Sequence, residues 1–227
     1  MKNYNVKVII PASGIGSRFG GDLPKQFQML GRHPILKRTI SAFQQVEYVA
    51  EIAVAVPSRY ASIVEDYQLD KVLHIVEGGK TRADSVYAAL KCFDAKNDDI
   101  ILIHDGARPF VLPDLIANVV DAAAKHGAAV ACLPITDTLK EVDDTGKIKS
   151  TLDRNKYWRA QTPQGFTYEV ISKAYVRGEE DGILPHSTDD SALVERLGLP
   201  VYIVDGASSN IKITTPEDMI IAEGLLL

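Results

Sequence analysis

The chain has 227 residues and a net charge of −5, from 25 Lys and Arg against 30 Asp and Glu. That length suits one large α/β domain that needs no disulfide or metal staple. The acidic balance argues against a sequence-independent nucleic-acid binder, which needs surplus basic residues, and no apolar run approaches the length of a membrane span. Cys92 and Cys132 lie far apart, with no CxxC and no spaced histidines. They read as small core residues in a reducing compartment rather than as a disulfide or zinc site. The N-terminus "MKNYNVKVII" lacks the apolar stretch and cleavage site of a signal peptide. A cytoplasmic protein is expected.

Short apolar runs alternate with helical periodicity. "VKVII" (6–10) reads as a buried strand and leads into a glycine-rich loop. In 34–46, Leu36, Ile40 and Phe43 fall on one helix face. A strand is expected at 51–57, a short helix at 60–69 and a third strand at 72–77, ended by Gly78-Gly79. Residues 82–93 put Val86, Ala89, Leu90 and Phe93 on one face of a helix. A strand at 99–106, a helix at 112–127 stopped by Gly127 and a strand at 128–134 follow. This alternation predicts a Rossmann-like α/β fold, a mainly parallel sheet with helices on both faces. Ligands in such sheets bind outside the carboxyl ends of the strands. The loops at 11–25, 78–85 and 104–110 are therefore the candidate site.

The pattern breaks at 136–165. "TLKEV" and "KIKSTL" read as two strands around the turn "DDTG", a charged hairpin that reaches out as an arm to another subunit, as a lid, or as a solvated excursion. Beyond it come a helix at 168–177, a capping-box-like "STDD" opening a helix to Leu197, the strand "PVYIVDG" and a C-terminal helix from Pro216. With no repeat or linker, residues 1–227 are expected to form one domain carrying an arm at about 136–160.

The loop "PASGIGSRFGGDLPKQF" (11–27) fits neither standard phosphate fingerprint. Gly14 and Gly16 begin a G-x-G-x-x-G pattern, but Phe19 takes the third glycine's place. Gly16 and Gly21 have Walker spacing, but Asp22-Leu23 follow instead of Lys-Ser/Thr. What remains is a strand, small residues that let a ligand approach the backbone, and the cations Arg18 and Lys25. Two fixed cations with no nearby nucleophile or base suit stabilisation of charge developing on phosphorus. On the loop alone, a glycine turn with two solvated cations is the alternative.

Seven blocks follow one another in order: "PASGIGSRFGGDLPKQF", "GGKTRADSV", "HDGARPF", "DTLK", "DRNKYWRAQTPQGF", "STDDSALVE" and "NIKITTPEDM". Together they resemble the 2-C-methyl-D-erythritol 4-phosphate cytidylyltransferases over essentially the whole chain. These are enzymes of nucleotide-diphospho-sugar transferase type that move a cytidylyl group from CTP onto methylerythritol phosphate and release pyrophosphate, with Mg²⁺ on the triphosphate. The resemblance implies that Arg18, Lys25, Arg154 and Lys212 are catalytic, with Lys212 placing the attacking group. It implies that Ala12, Ser13, Gly14 and Gly16 line the nucleotide and that Gly79, Arg82 and Ser85 meet the cytosine and its surroundings. Asp105 would sit near the metal and the substrate hydroxyls, with no direct metal bond required. Gly106, Arg108, Thr138 and Thr188 would hold the substrate. Thr138 and Arg154 fall on the hairpin, which in the family crosses to the partner of a homodimer and completes its site. The end of the chain at Leu227 predicts a single-function subunit.

Ser13 and Lys80 depart from the commonest family pattern, and Lys80 takes no role here. His104 reads as a satisfied structural histidine, Trp158 as packing under the arm, Glu179-Glu180-Asp181 as an exposed acidic turn, and Met29 and Met219 as core. Within the same chemistry the rival is a ribitol 5-phosphate cytidylyltransferase, against which "HDGARP" speaks. A nicotinamide oxidoreductase would share the fold, but this sequence lacks the third glycine and the ribose-binding acid that such an enzyme uses. A nucleotide sensor would have no use for four cations together.

Overall fold

Val6–Pro11 (β1) is an inner strand of the sheet, buried on both faces and apolar apart from Lys7. A computed structural model describes residues 4–14 and 23–227. Next come the short pair β2 (Met29–Leu30) and β3 (His33–Pro34), then α1 (Ile35–Gln44), β4 (Val49–Val56), α2 (Ala61–Glu65), β5 (Val72–Glu77), α3 (Arg82–Leu90), β6 (Ile100–Ile103), α4 (Pro113–His126) and β7 (Ala128–Pro134). The second half holds β8 (Lys140–Val142), β9 (Ile148–Thr151), β10 (Trp158–Thr167), α5 (Tyr168–Glu180), α6 (Ser191–Arg196), β11 (Tyr202–Asp205) and α7 (Pro216–Gly224).

Among the described residues, seven strands form one sheet in the order β11-β7-β10-β6-β1-β4-β5. All neighbours pair in parallel except β10, which runs antiparallel to both β6 and β7. The mainly parallel sheet expected from the alternation is present. The strand β10 was not expected, because its residues read as part of a polar excursion.

Two cores cover the two faces. Val6, Val8 and Ile10 face one with Leu36, Ile40 and Phe43 of α1 and Ile116, Val119 and Val120 of α4. Ile9, Ile101, Ile103 and Phe166 face the other with Val86, Ala89 and Leu90 of α3 and Ile171 and Tyr175 of α5. The strand period of two thus sorts even a continuous apolar run between layers. Lys7 follows the same parity. It lies buried beneath the Phe93 ring and forms an ion pair with Glu51.

The expected hairpin is present as the exposed two-stranded β8–β9 ladder, its turn held by Asp143, which accepts from the amides of Thr145 and Lys147. Four expectations are corrected. Cys132 is buried but Cys92 is exposed, on the outer side of α3's end. Met29 is exposed on β2, whereas Met219 packs against Leu30 and Ile213 as expected. Trp158 opens β10 opposite Pro134 and stays more than one-third exposed rather than packed beneath the arm. At "STDD", Asp190 makes no capping bond; the neighbouring Asp189 carboxylate accepts from the Ala192 amide instead. Capping boxes stand at Thr81 with Asp84 and at Thr215 with Asp218. No helix among the described residues is long and apolar enough to cross a membrane.

Candidate active site

β1, β4, β5 and β6 end at one edge of the sheet, and their loops meet there. The β1 loop is fixed from below. The Ser13 hydroxyl donates to Ala55 O at 3.0 Å, and the Gln26 amide donates to Ala12 O at 2.5 Å and Gly14 O at 3.1 Å. Gln26 belongs to the 3-10 turn Lys25–Phe27, so one turn both pins the loop and presents Lys25. Glycines permit the close packing of loop on loop. A Cβ on Gly78 would stand 1.5 Å from the Ser13 hydroxyl, and one on Gly106 would stand 3.0 Å from the Ala12 Cβ.

A cleft of about 220 Å³ opens there, lined by Ala12, Ser13 and Gly14 of the β1 loop, Lys25, Gly79, Arg82 and Ser85 at the start of α3, Asp105 and Gly106 after β6, and Lys212. Every nucleotide-binding residue expected from the sequence lines it except Gly16, which lies with Arg18 outside the described residues. Ser85 is buried and its hydroxyl donates to Thr81 O at 2.9 Å. A second cleft of about 260 Å³ adjoins the first, lined by Arg82, Asp105, Arg108, Gln161, Thr162, Gln164, Thr188, Asp189 and Lys212. Arg82, Asp105 and Lys212 line both and form the wall between them.

Asp105 is the centre of that wall. Its Oδ1 accepts from Arg82 Nε at 2.9 Å, and its Oδ2 receives Lys212 Nζ at 2.9 Å and Arg108 Nε at 3.4 Å. Burial alone would raise its pKa, but the charges of Arg82, Lys212 and Arg108 override it and hold the carboxyl far below the usual range. Arg82 bridges onward through Nη1 to Asp190 Oδ2 at 2.8 Å, and the Tyr175 hydroxyl donates to Asp190 Oδ1 at 2.6 Å. Burial lowers the Arg82 pKa and the two carboxylates more than restore it, so the guanidinium stays charged.

His104 sits just below. Its Nε2 faces Arg108 O at 3.0 Å, so it must donate there, and its Nδ1 accepts from the Thr162 hydroxyl at 3.1 Å. Complete burial pushes its pKa down to about 4. It is a neutral, fully satisfied structural histidine, as the sequence reading expected. Glu179 and Glu180, expected in an exposed acidic turn, instead end α5 with Asp181 as its C-cap, and Glu179 bonds Tyr87 and Lys91 on the surface, away from both clefts.

Thr188 reaches the second cleft, while Thr138 and Arg154 lie exposed at the arm and line neither cleft. Arg154 donates to Thr136 O within the arm's base. Asp190, Gln164 and Gln161 were not singled out from sequence. Asp190 was hidden inside a helix-capping motif, and the two glutamines sat in a stretch read as irregular. Among the described residues no cluster of three His, Cys, Asp or Glu side chains could hold a metal. Among the described residues, Asp105 is the one acidic residue lining the first cleft.

Comparison with known proteins agrees with this geometry. A cytidylyltransferase from Syntrophus aciditrophicus, named for 2-C-methyl-D-erythritol 4-phosphate, is 46% identical over 226 residues, covering 97% of this chain and 95% of the relative. The protein of that name from Desulforamulus reducens is 41% identical, covering 98% and 96%. The crystal structure of 4-diphosphocytidyl-2C-methyl-D-erythritol synthase from Anaerococcus prevotii superposes with a TM-score of 0.86 at 30% identity, covering 99% of both chains. The Francisella tularensis 2-C-methyl-D-erythritol 4-phosphate cytidylyltransferase superposes with a TM-score of 0.85 at 33% identity, covering 97% of this chain and 99% of that one. Residues 6–227 match the sequence pattern described as 2-C-methyl-D-erythritol 4-phosphate cytidylyltransferase, and the chain belongs to that family.

Proposed function

We infer that this chain transfers the cytidylyl group of CTP to 2-C-methyl-D-erythritol 4-phosphate. The products are 4-diphosphocytidyl-2-C-methyl-D-erythritol and pyrophosphate. Family membership names the reaction. The observation that supports it most directly is the pair of clefts sharing one charged wall, which suits two anionic substrates meeting at a point. A phosphate oxygen of methylerythritol phosphate bonds to the α-phosphorus of CTP as the bond to the bridging oxygen breaks. The electron pair leaves with pyrophosphate. A phosphate monoester is largely a dianion at pH 7, so no side chain has to remove a proton. That fits a site whose buried histidine is neutral and whose described cleft carboxylates, Asp105 and Asp189, are already engaged by ion pairs and hydrogen bonds.

The protein's work is then alignment and charge neutralisation. Lys25 and Arg18 stabilise the charge on the α-phosphate. Ala12, Ser13, Gly14 and Gly16 hold the triphosphate against the backbone, and Gly79, Arg82 and Ser85 bound the base end of the first cleft. Arg108, Gly106, Thr188 and Lys212 take the polyol phosphate, with Lys212 drawing its phosphate to the wall. Among the described residues, Asp105 is the acidic side chain of the first cleft that would hold Mg²⁺. Three of the carboxylate's roughly four lone-pair positions are engaged, which fits an ion held mostly by nucleotide oxygens and water. When bound, Mg²⁺ shares the charge of the triphosphate.

We further propose a homodimer in which Thr138 and Arg154 of the arm complete the partner's second cleft. Val142, Ile148, Tyr157 and Trp158 expose apolar surface along the arm and its base, which supports a contact there. The exposed free thiol of Cys92 suits the reducing cytoplasm. Pyrophosphate release with CTP, Mg²⁺ and either methylerythritol phosphate or ribitol 5-phosphate tests the assignment. Release is expected to be faster with methylerythritol phosphate; faster release with ribitol 5-phosphate would overturn it.

A further inference from the structure

Lys212 belongs to neither a helix nor a strand. It lies in the irregular segment between β11 and α7, yet its ammonium must hold one position at the wall between the clefts. A flexible four-carbon stem on a loose loop would not do that. Two fully buried neighbours, Asn210 and Ile213, bracket it. Ile213 N donates to Ala107 O at 2.9 Å, and its side chain packs with Leu30 and Ile35. That fixes the far side of Lys212.

The near side is fixed by side chains from β10. The Gln161 amide grips the segment three times. Its Nε2 donates to Ala207 O at 3.0 Å and Asn210 O at 3.3 Å, and its Oε1 accepts from Ala207 N at 3.2 Å. Asn210 grips back, its Nδ2 donating to Thr162 O at 2.7 Å. The Thr162 hydroxyl in turn accepts from the Asp105 amide at 3.1 Å. Asp105 and the segment that carries Lys212, which pair across the wall, are therefore both registered against Thr162 of one strand, with Gln161 beside it holding the segment.

Asn210 Oδ1 is buried with no partner among the described residues. Burying that oxygen opposes folding. That cost offsets part of what the buried Nδ2 bond contributes, while the bond still fixes the direction of the segment.

We propose that Asn210 and Gln161 form a clasp whose task is to position Lys212 for the second substrate's phosphate. They are positioning residues and touch no reacting atom. The role of Lys212 here rests on the function proposed above, so the test has one arm that needs no turnover. Amide hydrogen exchange in free enzyme is compared between wild type, Asn210→Ala and a remote core control, Ile116→Val. Faster exchange at Ile211–Ile213 in Asn210→Ala, and not in the control, is expected. Unchanged exchange there overturns the clasp.

In the kinetic arm, Asn210→Ala is expected to lower kcat/KM for the polyol phosphate about 10-fold or more. The CTP dissociation constant should stay within about twofold of wild type, since the nucleotide backbone contacts lie elsewhere. In a Lys212→Ala background the same change should cost nothing further. A loss that adds in full to that of Lys212→Ala, or that falls on CTP binding, overturns the positioning role. If Asn210→Ala does not fold, Gln161→Met removes the three Gln161 bonds at similar volume and is read the same way. If wild type releases no pyrophosphate with either polyol phosphate, the functional reading fails and the exchange comparison still decides the clasp.

Discussion

Lys212 Nζ lies 2.9 Å from Asp105 Oδ2, so a loop close to the C-terminal helix closes onto the end of a strand near the middle of the chain. The contact joins two clefts that the sheet edge alone would leave apart. Removing either partner should disturb both stability and substrate handling, in separable ways.

Asp105→Asn leaves Arg82, Arg108 and Lys212 crowded around a neutral side chain. Breaking a buried ion cluster from one side costs about 3–5 kcal/mol, which urea unfolding at pH 7 would read. The Asp105 carboxyl is held far below its unfolded value near 3.9. Its contribution is therefore complete above that value and disappears as pH falls below it. The variant should show a flatter loss of stability below pH 4 than wild type. An identical acid limb would mean that Asp105 is not the group responsible.

His104 governs a different window. Its unfolded pKa is 6.5 and its folded pKa about 4, because burial penalises the imidazolium. Between those values the unfolded chain binds more protons, so stability is full above pH 6.5 and lost as pH falls through 4. The drop amounts to about 3 kcal/mol. His104→Gln should lower stability at pH 7 but abolish the slope between pH 6.5 and 4. Retention of that slope would assign it to another group.

Lys25→Ala tests the charge-neutralising role. The ammonium is presented by a short turn that Gln26 fastens to the β1 loop, so the loop itself should survive. Turnover is expected to fall about 10²-fold or more, with a much smaller loss of CTP affinity by calorimetry. Unchanged turnover would remove Lys25 from the chemistry.

The arm gives a complementation test. Arg154→Ala and Lys25→Ala should each be inactive as homodimers. If the arm acts on its partner, a mixed dimer carries one site with both residues intact, and random mixing restores roughly a quarter of the wild-type rate. No recovery after subunit exchange, in dimers verified by sedimentation, would mean that Arg154 serves its own chain or none.

The sheet was legible wherever burial was carried by apolar residues. The runs at 6–10, 51–57 and 128–134 and the face Leu36-Ile40-Phe43 all appear where their periods put them. β10 escaped because its inner half is Gln161, Thr162, Pro163, Gln164 and Gly165, all buried. Pro and Gly argue against a central strand, and polar residues hide the alternation. The same chemistry explains the gaps at the site. The loops were found from glycine and charge at strand ends. Gln26, Gln161 and Asn210 were not, because buried amides that grip backbone have no periodicity and resemble loop polarity until their partners are known. Asp190 stood in a motif whose reading as a helix cap had already given its carboxylate a task.

β7 touches the rest of the sheet only through β10 on one side and β11 on the other. As the chain leaves the ribosome, β1, β4, β5 and β6 can pair at once, but β7 emerges with no neighbour until residues 158–167 follow. During that interval β6 and β7 both carry open strand edges that the finished sheet covers, and both strands are apolar. Its most exposed moment for self-association falls while the arm is being synthesised. Pulse proteolysis of stalled chains should show protection of β7 beginning only once Thr167 has cleared the exit tunnel.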